Sequence, residues 1–239
     1  ARLNIDGSKM VKGVHYEESY SPVASWNSIR TMLMLVAKHN WHTVQIDYVL
    51  AFPQAPIERT LYMEVPEGFE IEGVNSKDHV LKLHRNVYGS KNAGRTWYQY
   101  LRRKLIEDVG FKQSKVDECV FYKGKVMYVL YTDDSVLAGP DKEEINLIIK
   151  DIQQAKLAIT IEGDLQDFLG IHIDRKEDGS IHLTQPQLID SILKDLRLDN
   201  EKVKTKSTPA KSSEILLRHA NSAAFDRSFD YRSVIGKLK

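Results

Sequence analysis

Cysteine, long apolar runs and net charge are what this sequence has least of. Its 239 residues include one cysteine, Cys119, which excludes an internal disulfide and fits a reducing compartment. No apolar run approaches the roughly 18–20 residues of a membrane span, and the N-terminus has no apolar signal region. The formal net charge of +1 argues against a uniformly basic nucleic-acid binder, although a local basic groove is still allowed.

The rest of the composition is that of a globular domain. Hydrophobic residues make up 42% and charged residues 28% of the chain, and its length allows one large domain or two small ones. Because the chain begins at Ala1 without Met and stops at Lys239 within a helical pattern, we expect it to be a piece of a longer protein.

The strongest local pattern is VMYVLYTDDSVLAG, from Val126 to Gly139. Two runs of β-branched and aromatic residues flank Asp133-Asp134 so closely that they predict a tight hairpin with both acids at its tip. Aspartate is also a favoured turn residue, so the pair taken alone is explained by ordinary turn chemistry.

A second acidic position favours a functional interpretation. Val44 and Ile46 alternate with polar residues, which predicts a strand with Asp47 at or just past its end. One carboxylate leaving a strand and two on a hairpin suit two-metal phosphoryl transfer, in which hard oxygen ligands hold two Mg²⁺ ions about 3.5–4 Å apart.

Three blocks together resemble a known family. Asp47-x-x-x-Ala51-Phe52, VYGSKNAGRTWY from residue 87 and YTDD from residue 131 are similar, in order and spacing, to the reverse transcriptase of Ty1/copia-type retrotransposons. The resemblance covers nearly the whole chain. It implies an RNA-directed DNA polymerase, a nucleotidyltransferase in which the primer 3′-hydroxyl attacks the α-phosphate of a deoxynucleotide. Asp47, Asp133 and Asp134 would be the catalytic metal ligands for two Mg²⁺ ions, which Mn²⁺ could replace.

The same resemblance implies further site residues. Phe52 corresponds to an aromatic residue that lies beneath the sugar and excludes a 2′-hydroxyl, although its spacing alone equally fits a core aromatic. The implied nucleotide-binding set is Arg2, Phe52, Tyr88, Gly89 and Lys91. The implied primer grip is Phe168, Leu169 and Gly170, which a plain hairpin with a close-approach glycine would also explain.

The expected fold is α+β: a right-hand polymerase fold with an antiparallel palm sheet backed by helices, with fingers and a partial helical thumb. We expect fingers and palm over 1–184 and a partial thumb with a loosely ordered linker over 185–239. Ile145, Ile148, Ile149 and Ile152 predict a helix packed on the sheet. Strands are predicted over 168–175 and 180–183, a helix over 186–196, and a polar linker over 200–221.

The implied partners are an RNA or DNA template with its primer strand, dNTPs, and other domains of the same polyprotein, such as RNase H and integrase. No membrane is implied. The oligomeric state is undetermined, and the location is cytoplasmic, in virus-like particles, or nuclear.

Two other functions stay open at this point. An RNA-dependent RNA polymerase shares the three-acid plan, but Phe52 argues against it because a ribonucleotide enzyme needs a small or polar residue there. Departures from the family pattern at Asp6, Pro53, Asn92 and Gly94 leave room for a catalytically degenerate, retrotransposon-derived nucleic-acid-binding domain.

Overall fold

The structure, a computed structural model, describes residues 3–66, 68, 69, 73, 75, 78–200, 204, 207 and 227–238. The helices in these ranges are α1 (Trp26–His39), α2 (Ala51–Gln54), α3 (Ala93–Glu107), α4 (Lys142–Gln154), α5 (Pro186–Asp195) and α6 (Tyr231–Leu238), with a 3₁₀ turn at Gly7–Lys9. The strands are β1 (His42–Tyr48), β2 (Pro56–Glu64), β3 (Val80–Arg85), β4 (Lys112–Gln113), β5 (Val120–Lys123), β6 (Val126–Tyr131), β7 (Asp134–Gly139), β8 (Ile159–Gly163), β9 (Asp167–Phe168), β10 (Ile171–Arg175) and β11 (Ile181–Thr184).

Six of these strands form one antiparallel sheet. Their order is β4-β5-β6-β7-β1-β8, so β1 lies between two strands that follow it much later in the chain. Two smaller antiparallel sheets consist of β2 with β3 and of β9, β10 and β11. The predicted α+β class with an antiparallel sheet is confirmed, and the insertion of β1 brings Asp47 beside the β6–β7 hairpin.

Helices bury their apolar faces against the large sheet. The predicted stripe of α4 is buried at Ile145, Ile148, Ile149 and Ile152, and this helix contacts β7 and β1. Helix α1 contacts β6 and β7. The apolar residues that recur at helical spacing thus lie on the buried faces of these helices, against the sheet.

The chain divides into two compact units. One contains residues 1–165 and 177–180, and the other contains 166–176 and 181–239. Within the second unit, Lys237 of α6 donates 2.7 Å hydrogen bonds to Ser191 and Asp195 of α5. The boundary expected between residues 184 and 185 separates polymerase subdomains, fingers and palm from thumb, and not compact units of the chain. It stays a prediction.

The strand predicted over 168–175 is interrupted in the structure. Leu169 and Gly170 have φ values of +53° and +76°, and they turn the chain so that Phe168 pairs with Ile171. Gly170 favours such a turn, as the hairpin alternative for these residues assumed, whereas a left-handed leucine at 169 is uncommon. Most of the linker predicted over 200–221 lies outside the described residues.

A search of the described helices for membrane spans found none with the length and apolarity required.

One carboxylate joins the start of α1 to the loop before β5. Asp117 accepts hydrogen bonds from the Ser25 amide (2.9 Å), the Ser28 hydroxyl (2.6 Å) and the Cys119 amide (2.9 Å). Partial burial raises the pKa of Asp117, but these hydrogen bonds outweigh burial and lower the pKa below its usual 3.8.

We predict that Asp117→Ala lowers the free energy of unfolding by about 1–3 kcal/mol, because it removes three hydrogen bonds that join the start of α1 to the loop before β5 and leaves partly buried donors without an acceptor. A depressed folded-state pKa stabilises the protein at pH values above 3.8, and this stabilisation is lost as pH falls below that value. Urea unfolding at pH 7 measures the change, with the exposed Asp190→Ala as the matched control. Equal stability of the two variants would contradict the assignment.

Candidate active site

Two carboxylates face each other where β1 pairs with β7. Asp47 lies directly opposite Asp134, at the end of a continuous register that begins with His42 opposite Gly139. Side chains opposite each other on antiparallel strands project to the same side of the sheet. The structure therefore brings together two of the three predicted acids.

The third acid lies in the turn that follows β6. Tyr131 pairs with Asp134, so the two-residue turn consists of Thr132 and Asp133. The expectation that both acids occupy the tip is thus corrected: Asp133 is at the tip, whereas Asp134 is the first residue of β7. This difference allows Asp134 to be positioned by strand pairing, which an aspartate in the turn would lack.

Hydrogen bonds from outside the hairpin hold this turn in place. The Trp97 indole of α3 donates a 2.7 Å hydrogen bond to the Thr132 carbonyl, and the Tyr48 amide donates to the Asp133 carbonyl at 3.1 Å. Thr132 has a φ of +58°, a left-handed conformation uncommon for a β-branched residue. Such strain persists only where surrounding contacts fix the backbone, as they do here.

Beneath the acids, a buried chain of hydroxyl groups connects the same strands. The Tyr48 and Tyr128 hydroxyls lie 2.9 Å apart, and the Tyr128 hydroxyl lies 2.7 Å from that of Ser135. The Tyr48 ring also meets Trp97 edge-on at 5.1 Å. Sequence reasoning missed this network, although two tyrosines and a serine on inward-facing strand positions are a visible signal that buried hydroxyls need partners.

The acids repel one another. Burial is the main cause that raises the pKa of Asp134 to about 6, and the charges of Asp133, Asp47 and Glu162 raise it further. Glu162 was not predicted as part of this cluster. It is the extra residue of a β-bulge in β8, between the pairs Ile46–Ile161 and Gln45–Gly163, and no sequence pattern marked it.

The acidic side chains at this site suit a metal ion that takes only part of its ligands from the protein. Among the described residues, no three His, Cys, Asp or Glu side chains converge closely enough to hold an ion by themselves. Mg²⁺ is normally held by one or two carboxylates and completes its shell with water and substrate phosphate. Burial and, secondly, the neighbouring negative charges raise the pKa of Asp134, and a bound divalent cation would offset the second of these causes.

The predicted gate residue lies on the short helix that follows β1. Phe52 of α2 is half-buried, and its ring centroid lies 5.1 Å from that of Tyr88. Leu50, just before α2, has φ +50° and ψ +52°. The structure thus brings two of the predicted nucleotide-binding residues into contact with each other.

A close backbone approach surrounds the next predicted residues. The Ile5 amide donates a 2.9 Å hydrogen bond to the Tyr88 carbonyl, and the Lys91 amide contacts the Met10 sulfur at 3.3 Å. Gly89 has φ +88°, and an added Cβ there would overlap the Ile5 carbonyl. The N-terminal segment therefore packs on Tyr88 and Gly89. Arg2, the remaining predicted contact, lies outside the described residues.

The predicted primer grip forms the turn between β9 and β10. Phe168 is 3% exposed and anchors this small sheet, while Leu169 and Gly170 make the turn. These residues belong to the second compact unit, and their role stays a prediction.

Acids at the turn end of an antiparallel sheet suit enzymes that transfer nucleotidyl groups. The family comparison agrees, because a sequence model described as reverse transcriptase (RNA-dependent DNA polymerase) matches residues 1–212. The chain belongs to this reverse transcriptase family of nucleotidyltransferases, in the group found in copia-type retrotransposon polyproteins.

Several curated proteins are similar to this chain. The retrovirus-related Pol polyprotein from transposon TNT 1-94 of Nicotiana tabacum is 33% identical over 208 residues, which cover 84% of this chain and 15% of that protein. The Pol polyprotein from transposon RE2 of Arabidopsis thaliana is 32% identical over 100% of this chain and 16% of its own length. The chain thus spans about a sixth of these relatives.

One solved structure gives a weaker match. It is telomerase from Candida albicans in complex with a fragment of telomeric RNA, with a TM-score of 0.40 and 11% identity. The match covers 71% of this chain and 35% of that chain.

The contact at Gly89 generates a prediction with an internal control. We expect Gly89→Ala to destabilise the protein by about 2–4 kcal/mol and to release the N-terminal segment, since the new Cβ overlaps the Ile5 carbonyl. Gly110→Ala has the same backbone strain, with φ +85°, but no atom within 4 Å of the added Cβ. Limited proteolysis and thermal unfolding compare the two. Similar losses in both variants would mean that backbone strain alone is responsible.

The pKa of Asp134 predicts how charge affects stability. A folded-state pKa near 6, above the usual 3.8, means that the metal-free protein loses stability as pH rises through about 4 to 6. Asp134→Asn should therefore stabilise it at pH 7 by about 1 kcal/mol after solvent screening, or about 2–4 °C. The gain should shrink towards pH 4.5. Thermal melts without divalent cations measure it, and the exposed Asp164→Asn controls for net charge. A pH-independent gain would refute the electrostatic explanation.

Proposed function

We propose that this chain is the RNA-directed DNA polymerase domain of its polyprotein, which adds deoxynucleotides to a primer 3′-hydroxyl. The observation that carries the proposal is the pairing of Asp47 with Asp134 directly beside Asp133. A fixed backbone register is a rigid way to hold two carboxylates against a reacting phosphate, and phosphoryl transfer depends mainly on positioning and charge stabilisation.

Asp47, Asp133 and Asp134 would hold two Mg²⁺ ions, or Mn²⁺ in their place. When bound, such ions supply positive charge to the attacking and leaving oxygens. The chain's own contribution is to orient Asp134 opposite Asp47 through the pairing of β1 with β7. Because the pKa of Asp134 is about 6, protons compete with metal at this carboxylate, and metal binding should weaken below that pH.

The nucleotide would lie against the Phe52–Tyr88 pair. The half-buried Phe52 ring, which contacts Tyr88, would exclude a 2′-hydroxyl and so select deoxynucleotides over ribonucleotides. Lys91 is exposed and available to a phosphate, and Gly89 allows the N-terminal segment, which leads to Arg2, to approach closely. The same ring argues against an RNA polymerase.

The remaining assignments follow the family. Residues 1–184 would form fingers and palm and 185–239 part of a thumb, with Phe168, Leu169 and Gly170 gripping the primer. The partners would be a primed RNA or DNA template, dNTPs and other polyprotein domains such as RNase H and integrase. The protein would act in cytoplasmic virus-like particles or in the nucleus.

Primer extension on a heteropolymeric RNA template tests the proposal. We expect Mg²⁺-dependent extension with dNTPs, abolished by EDTA and slower below pH 6. Asp133→Asn should reduce the rate about a thousandfold or more, which corresponds to about 4 kcal/mol of lost transition-state stabilisation.

The exposed Asp190→Asn on α5 is the matched control and should extend at the normal rate. Equal activity of Asp133→Asn and the unmodified chain would remove Asp133 from the reaction. If the unmodified chain showed no extension and no Mg²⁺-dependent dNTP binding, polymerase function would be refuted. The degenerate nucleic-acid-binding domain would then be favoured. Such a domain would bind with steep salt dependence and no need for Mg²⁺.

A further inference from the structure

A single side-chain amide connects the Phe52 turn to the entrance of β8. Gln54, the last residue of α2, donates from Nε2 to the carbonyls of Val49 (2.7 Å) and Ala158 (2.9 Å). Its Oε1 accepts a 2.9 Å hydrogen bond from the Ala158 amide. One side chain therefore uses both donor hydrogens and its acceptor on two backbone segments that are distant in sequence.

The geometry continues the strand pairing with a side chain. The last regular pair between β1 and β8 is Tyr48 with Ile159, and beyond it the Val49 amide donates to the Ala158 carbonyl at 3.0 Å. At that point β1 turns away into α2. The Gln54 amide takes the place of the missing strand residue, because it offers Ala158 both an acceptor and a donor, as a neighbouring strand would.

The connection lies next to a left-handed residue that is not glycine. Leu50 has φ +50° and Lys156 has φ +60°, and neither is a glycine. Left-handed conformations at such residues are unfavourable and persist only where surrounding contacts determine them. Lys156 directly follows the C-cap of α4, where this conformation is common, whereas Leu50 follows Val49, which the Gln54 amide links to Ala158.

The turn that carries Phe52 is thus held from two sides. On one side, Arg85 donates to the Gln54 carbonyl at 3.0 Å and the Asn86 side chain donates to the Pro56 carbonyl at 3.1 Å, close in sequence to Tyr88. On the other side, the Gln54 side chain holds Ala158. Loss of the amide would remove three of the hydrogen bonds on the β8 side and leave the backbone bond between Val49 and Ala158 there, so the Phe52 ring would be held less firmly.

We propose that Gln54 is a positioning residue for sugar selection: its side-chain amide fixes the Phe52 turn to β8 and so keeps the ring where it excludes a 2′-hydroxyl. The inference rests on the proposed polymerase function. Steric exclusion of one oxygen atom needs a ring held to a fraction of an ångström, and such precision requires support from neighbouring side chains. Only an amide can donate two hydrogen bonds and accept one at this site.

The test compares Gln54→Leu and Gln54→Glu with the unmodified 239-residue chain. The measured quantity is the ratio of kcat/KM for dCTP to that for CTP in primer extension. We expect both variants to lower this ratio about tenfold or more, mainly through improved use of CTP, while dCTP incorporation changes little. Gln154→Leu, the same change at an exposed position of α4, is the matched control and should keep the ratio unchanged.

A double variant tests whether Gln54 acts through Phe52. Phe52→Val should abolish most discrimination by itself, and adding Gln54→Leu should then cause no further loss, because residues that act through one another are not additive. Independent, additive effects would overturn the positioning role.

Hydrogen exchange gives a readout that does not need catalysis. The Ala158 amide should lose protection in Gln54→Leu and keep it in Gln54→Glu, which retains the acceptor. If Gln54→Leu lost Ala158 protection as expected but both variants kept the normal discrimination between dCTP and CTP, the positioning role would be overturned. The proposed polymerase function would not be affected. No extension and no dNTP binding by the unmodified chain would refute the proposed function and the inference with it. Unchanged protection in Gln54→Leu would show that the hydrogen bond itself is absent.

Discussion

The antiparallel pairing of β1 with β7 is the constraint on which the site depends. A shift of one residue in this register would turn Asp47 to the opposite face of the sheet, together with every other side chain of β1. The buried Tyr48–Tyr128–Ser135 hydroxyl chain opposes such a shift, because its hydroxyls would be left without partners in the core. The position of the carboxylates is thus secured by a polar network on the buried side of the same strands.

Like charges brought together by this register cost stability. Burial is the main cause of the raised pKa of Asp134, and the negative charges of Asp133, Asp47 and Glu162, which lies at the β8 bulge, raise it further. Functional sites commonly contain such unfavourable arrangements. A bound divalent cation would offset this repulsion, because each carboxylate would be attracted to the cation.

Some of this architecture follows from residue patterns, and some does not. The α4 stripe of isoleucines and the tight β6–β7 hairpin that carries Asp133 follow from periodicity and turn length, which act over short stretches of chain, whereas the pairing of Asp47 with Asp134 depends on the insertion of β1 beside β7. Gly170 was consistent with a turn after Phe168, but the positive φ of Leu169 could not be predicted, because it contradicts the local preference of leucine. The Glu162 bulge and the Gln54 amide depend on partners distant in sequence. Gly7 and Gly89 lie where two backbone segments approach closely, and glycine at both positions is consistent with such an approach.

Backbone strain marks the places where long-range contacts determine the structure. Thr132 has positive φ and accepts a hydrogen bond from the Trp97 indole of α3, and Leu50 has positive φ and follows Val49, which the Gln54 amide links to the distant Ala158. A free chain would relax these residues at little cost. These positive-φ conformations therefore depend on contacts among the sheet, α2 and α3. The geometry of the acids and of the Phe52 turn is thus a property of the assembled unit rather than of either segment alone.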